Sequence, residues 1–203
     1  DGSMLAGAYN ALDFDAKPET KQFGGWAAVW DLSDRSYLYR VDVDSGYERA
    51  AAVAFSPDGR LLVTGGGTGD VRFFDAASGD PRGRSVRASS GWALSLDFAP
   101  DGKTIATGGS DGTVRLLDVG KRAQVGAALP GLDNIHGNAS FTPDGKRLFV
   151  VYSTGEGFRW DVEASVWQKQ ACSLAGRNLS REEWEQFLPD RGYDPSCPVA
   201  TSS

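Results

Sequence analysis

Between Phe98 and Asp118 the chain reads FAPDGKTIATGGSDGTVRLLD, three short apolar runs separated by Asp101-Gly102 and Asp111-Gly112. Asp-Gly pairs supply the positive φ angles that tight hairpin turns demand. The pattern therefore predicts strand, turn, strand, turn, strand, and it excludes a helix. The unit recurs: Pro57, Pro100 and Pro143 are 43 residues apart, as are Asp75, Asp118 and Asp161. Apolar residues alternate within each copy, as Val53, Phe55, Leu61 and Val63, then Leu96, Phe98, Thr104 and Ala106, then Phe141, Leu148, Val150 and Phe158. These are the expected contacts between neighbouring copies. A fourth copy opens at Asp1-Gly2 and ends at Trp30-Asp31, but its landmarks lie 30 residues apart where Asp101 and Asp118 lie 17 apart. The extra residues fall in ALDFDAKPETKQFGG (11–25), an expected exposed loop that is acidic at Asp13, Asp15 and Glu19 and broken by Pro18. Such a loop is either a tolerated insertion, since added length costs little closure entropy, or a recognition loop on a rigid scaffold.

After Asp161 the periodicity changes. In ASVWQKQACSLAG the apolar residues Val166, Trp167, Ala171, Leu174 and Ala175 share one face of a helix that Gly176 ends. A second helix follows, because Ser180 and Glu183 have capping-box spacing, Leu179 and Trp184 hold the staple positions and Pro189 closes it. Its apolar face is Trp184, Phe187 and Leu188, and both helices are expected to pack on the last repeat.

A repeat of about 40 to 45 residues, with four strands and a terminal Trp-Asp, is the signature of a propeller blade. In FSPDG (55–59), FAPDG (98–102), FTPDG (141–145), GGSDGTVRLLD (108–118) and Trp160-Asp161 the chain resembles the WD-repeat β-propellers. The resemblance implies an all-β fold over 1–162: about four blades of four-stranded antiparallel sheet, the first without its innermost strand and with an insertion. A short helical C-terminal cap over 163–203 completes it. WD-repeat families often brace each blade with hydrogen-bonded Trp, Ser or Thr, His and Asp. Carried over, the Trp position holds Trp30, Phe74, Leu117 and Trp160, the turn-Asp position Thr68, Asp111 and Thr154, and the His position Gly46, Ser89 and Leu132. The full set occurs in no blade, so apolar packing is expected to dominate. Propellers of this family mostly close with seven or eight blades, which implies additional blades from the same or another polypeptide, here read as a longer parent chain. The tail, from Ala171 to Pro198, also looks like the extension that ends many actinobacterial propeller-bearing signalling proteins. There the propeller follows a protease-like, kinase or NTPase effector module.

Composition narrows the function classes. The 203 residues are 40% apolar with no run near membrane-span length, and the net charge of -6 repels phosphate backbones. No nucleic acid and no membrane partner is therefore expected. The opening DGSMLAGAYN has no export-signal pattern, so a cytoplasmic location is expected. Arg82, Arg84 and Arg87 form a local basic cluster, read as a charged outer edge that discourages strand pairing. Cys172 and Cys197, with the single His136, cannot complete a four-ligand zinc site. A disulfide, two buried thiols or a reactive thiol remain open, the last disfavoured because nothing cationic closely flanks Cys172. No cofactor and no metal is expected.

Motifs for catalysis dissolve on inspection. Gly108 to Gly112 spells G-x-S-x-G, but on a strand-to-strand turn, where the nucleophile elbow needs a strand-to-helix turn and a histidine partner. Gly102-Lys103-Thr104 leads into a strand and not the helix of a phosphate loop. Asn138 and Asn178 fit the glycosylation pattern, which is common by chance. His136 reads as a loop residue. What remains is recognition: Arg49, Trp92 and Ile135 are 43 apart in the loops that lead into successive innermost strands, and they should ring one surface together with the acidic loop. The expected function is a non-catalytic recognition or scaffold module for a protein or peptide. The rival is the sensor domain of a larger signalling enzyme.

Overall fold

The computed structural model describes residues 2–12, 23–43, 50–132, 135–175, 177–187, 192–193 and 197. Two compact units are present, residues 1–159 and 160–203. Four antiparallel sheets follow one another along the chain. The first has β1 (Met4–Leu12), β2 (Phe23–Asp31) and β3 (Tyr37–Asp42). The second has β4 (Ala50–Phe55), β5 (Leu61–Gly66), β6 (Asp70–Asp75) and the short β7 (Val86–Arg87). The third runs through β8 (Ala93–Phe98), β9 (Thr104–Gly109), β10 (Val114–Asp118) and β11 (Ala123–Leu129). The fourth has β12 (Gly137–Phe141), β13 (Arg147–Tyr152) and β14 (Gly157–Asp161). Strand order within each sheet follows the sequence, and β4, β8 and β12 neighbour one another in turn. They are the innermost strands of successive blades.

Sequence dictates the turns. Asp58 accepts from Ser56 Oγ (2.5 Å) and Arg60 N (3.1 Å), so that Gly59 can turn at φ 70°. The arrangement repeats where Asp101 accepts from Lys103 N (2.9 Å) and Asp144 from Lys146 N (3.0 Å). The Asp that ends β2, β6 and β10 caps the next turn: Asp31 accepts from Ser33 N (2.7 Å), Asp75 from Ala77 N (3.0 Å) and Asp118 from Lys121 N (2.7 Å).

One apolar cluster joins the first two sheets through Ala27, Val29, Val41, Leu62 and Phe74, and another joins the second and third through Val63, Phe73, Ala93, Ile105 and Leu117. Leu62 and Val63 are both fully buried, as are Ile105 and Ala106. The strict alternation expected from Leu61 and Val63 therefore gives way to consecutive buried residues, because each middle sheet is covered on both faces. Two other expectations change. The ladder pairs Tyr9 with Trp26, Ala11 with Gly24 and Leu12 with Phe23, so Ala11, Leu12 and 23–25 are strand and not part of an open loop. Phe158, expected in the core, is 42% exposed, its ring edge-on to that of the buried Tyr152.

In the second unit, α1 (Ala164–Ala175) and α2 (Arg181–Phe187) form where the apolar spacing places them. The capping box is present, with Ser180 N donating to Glu183 Oε2 (2.8 Å) and Glu183 N to Ser180 Oγ (3.1 Å). Cys172 and Cys197 are disulfide-bonded with Cα atoms 5.4 Å apart, and Asn178 clamps the second cysteine, its Nδ2 donating to Cys197 O (2.8 Å) while Cys197 N donates to Oδ1 (2.7 Å).

Candidate recognition face

The loop that leads into β8 is held from two sides. Ala88 N and Ser89 N donate to Gly69 O (2.8 and 3.1 Å), which ties it to the β5–β6 turn of the preceding blade. Trp92 N donates to Ser110 Oγ (2.8 Å) and Ser110 N donates back to Trp92 O (2.9 Å), which ties it to the β9–β10 turn of its own blade. Gly91 is required here, because a Cβ on it would overlap Ser110 Oγ. Trp92 is left 38% exposed on a fixed backbone. Ser110 thus has a structural task on a strand-to-strand turn.

In the next such loop, into β12, Ser153 N donates to His136 O (3.2 Å) and Ile135 N to Leu132 O (3.1 Å), while Tyr152 Oη, at the end of β13, donates to Gly112 O (3.2 Å) in the β9–β10 turn of the preceding blade. Ile135 is half-buried and His136 exposed. Since β8 and β12 are neighbours, Trp92 and Ile135 occupy equivalent positions on adjacent blades at the same end of the strands. Arg49, Asp13, Asp15 and Glu19 lie outside the described residues.

Asp111, beside this loop, was legible only as a lone member of a bracing set. It accepts from Ser90 N (3.0 Å), Ser90 Oγ (2.9 Å), Thr113 N (3.1 Å), Thr113 Oγ1 (2.8 Å) and Arg115 Nη1 (3.0 Å), and Arg115 Nη1 also reaches Ala88 O (3.0 Å). Partial burial raises its pKa, but the donors from Ser90 and Thr113 outweigh it and hold the carboxyl well below the usual range. Ser90 and Arg115 do the work that a His-based brace would do. Ser90 carries no signal of its own in the sequence, because its partner lies 21 residues on.

Two stretches, residues 45–75 and 82–118, match the family model "WD domain, G-beta repeat". The chain carries WD repeats. No curated protein matches it significantly. The first matched stretch takes in β4 to β6 and the second β7 to β10, the latter including Trp92, Ser110 and Asp111. Mostly β structure in four antiparallel sheets with a short helical C-terminus fits a WD-repeat propeller fragment. WD repeats indicate a protein-interaction or scaffold module, a class that is typically non-catalytic. Among the described residues no helix is long and apolar enough to cross a membrane.

Proposed function

We propose that this chain is a non-catalytic recognition module that binds a protein or peptide through the face carrying Trp92 and Ile135, with Arg49 and the acidic residues Asp13, Asp15 and Glu19 at its border. The observation that carries the reading is Trp92: a large aromatic ring left exposed on a backbone pinned at both its N–H and its carbonyl. A rigid, amphipathic anchor of this kind loses little entropy on binding and has the chemistry of interface hot spots. The test is a pull-down with wild-type protein and with the Trp92→Ala, Arg49→Ala double variant, thermal melts being run on both. Loss of capture with an unchanged melt supports the face; undiminished capture overturns it.

The same proposal places the chain within a larger propeller, in a signalling protein. Its support is the outermost sheet faces. Leu5 is 53% exposed, whereas Leu62, Ile105 and Leu148, which likewise lie four residues after the Asp of an Asp-Gly turn, are fully buried. A preceding blade would cover Leu5 in the same manner.

A further inference from the structure

A cavity lies at the outer edge, beside the basic cluster. It has a volume of about 240 Å3 and is lined by Arg72, Phe73, Phe74, Pro81, Gly83 and Ser85, between β6 and the segment that leads to β7. Arg122, from the β10–β11 turn of the next blade, crosses to its wall: Cζ lies 3.5 Å from the Phe73 ring centroid, and Nε would be 3.9 Å from a Cβ placed on Gly83. Arg84 Nη2 donates to Arg122 O (3.3 Å), which closes the rim.

The charges do not balance there. Arg82 is paired with Asp75 (2.5 Å) and Arg87 with Asp70 (3.8 Å), so the nearest carboxylates are already engaged. Among the described residues neither Arg84 nor Arg122 has a carboxylate within ion-pair distance, and Nη1 of Arg122 is buried with no hydrogen-bond acceptor. A buried guanidinium N–H without an acceptor is costly, and such groups in native structures call for an explanation. Cation–π contact with Phe73 compensates the charge in part but supplies no acceptor.

The geometry points to a carboxylate-binding site on this outer edge, which takes the side chain of an acidic residue from a partner polypeptide. An anion on a short apolar stem fits the lining, with the methylenes against Phe73, Phe74 and Pro81 and the oxygens toward the guanidinium groups, whose planar fork matches a carboxylate. The volume suits one side chain. A polyanion does not fit, since the whole chain carries a net charge of -6 and repels an extended phosphate backbone. The site lies at the outer edge, apart from the Trp92 loop, and does not rest on that face being a binding surface.

The test is an NMR titration of the amide resonances of Phe73, Gly83 and Ser85 with N-acetyl-glutamate α-amide, its uncharged glutamine counterpart and inorganic phosphate. Saturable shifts with the glutamate probe alone, weakened at least tenfold by Arg122→Gln, are the expected result. Should Arg122→Gln disturb the overall spectrum, Arg84→Gln, which alters an exposed side chain, is expected to weaken binding severalfold. Equal shifts with the glutamine probe, binding of phosphate as tight as that of glutamate, or indifference to both substitutions would overturn the assignment.

Discussion

Asp111 shows how a single residue can take over a missing brace. Its five donors come from Ser90, Thr113 and Arg115, and Arg115 extends the network to the carbonyl of Ala88. Because its folded pKa lies below the ordinary aspartate value of 3.8, the carboxylate stabilises the fold above that value. The contribution falls as pH drops below 3.8 toward the lower folded pKa. Asp111→Asn is therefore expected to lower the melting temperature at pH 7 and to reduce the loss of stability between pH 4 and about 2, measured by thermal melts across pH. A variant whose acid profile parallels the wild type would show that Asp111 does not carry that dependence. The sequence showed the aspartate at its turn position but not its partners, because two of the five donors are backbone N–H groups, which every residue type but proline offers.

At the level of elements, the turns and strands were readable and the contacts between blades less so. Asp-Gly pairs and a fixed period specify where the chain reverses, whereas which face of a strand is covered depends on a neighbour many residues away. Ser95 and Asp97 illustrate this. Ser95 Oγ accepts from Gly108 N (3.0 Å) and, across the blade interface, from Ala139 N (3.1 Å), while Asp97 Oδ2 accepts from Phe141 N (2.7 Å) and Ser140 Oγ (2.9 Å). Close approach matters as much. A Cβ on Gly65 would lie 2.9 Å from Ala93 O, and one on Gly108 would fall on Gly137 O, so glycine lets the next innermost strand seat itself. Gly108→Val is expected to destabilise by about 1 to 3 kcal/mol or more through overpacking, read by urea denaturation; an unchanged midpoint would show that the interface yields freely. In the tail, the capping box and both helices were legible from spacing, while the choice between bridged and free cysteines was not, since no local pattern brings residues 172 and 197 together. Cys172→Ser is expected to cost on the order of 3 kcal/mol in the tail unit, from the 25-residue separation of the cysteines. Far-UV circular dichroism of the helices reads it, and two titratable thiols in the denatured, unreduced wild type would contradict the bridge. Such a bridge persists in oxidising surroundings more readily than in a reducing cytosol, which sets it against the cytoplasmic expectation.

Across the molecule, the two outermost sheet faces differ. Blade one exposes Leu5 where every later blade buries its equivalent. Blade four exposes Phe149 at 48% and Val151 at 54% where blade three has Ala106 and Gly108 and blade two has Val63 and Gly65. Valine thus stands at the position where Gly65 and Gly108 let the next innermost strand approach. The proposed recognition face stands apart from both, at the end of the strands where the lead-in loop into β8 is pinned by neighbouring turns. A period of 43 aligns Arg49, Trp92 and Ile135 without any structure, and of these Trp92 and Ile135 fall among the described residues. The pinning by Ser110 was not legible, since its hydroxyl first reads as a false nucleophile.

The measurement that bears most directly on this account is the affinity of peptides selected from a random library on the wild-type chain, determined by calorimetry against Trp92→Ala and against Arg122→Gln. Removal of an anchoring aromatic costs about 2 kcal/mol or more, a loss of roughly 30-fold. The account predicts that loss for Trp92→Ala, with the melt unchanged, for peptides bound at the lead-in face. If every selected peptide binds Trp92→Ala as tightly as the wild type, the face described here is not where this chain recognises its partners.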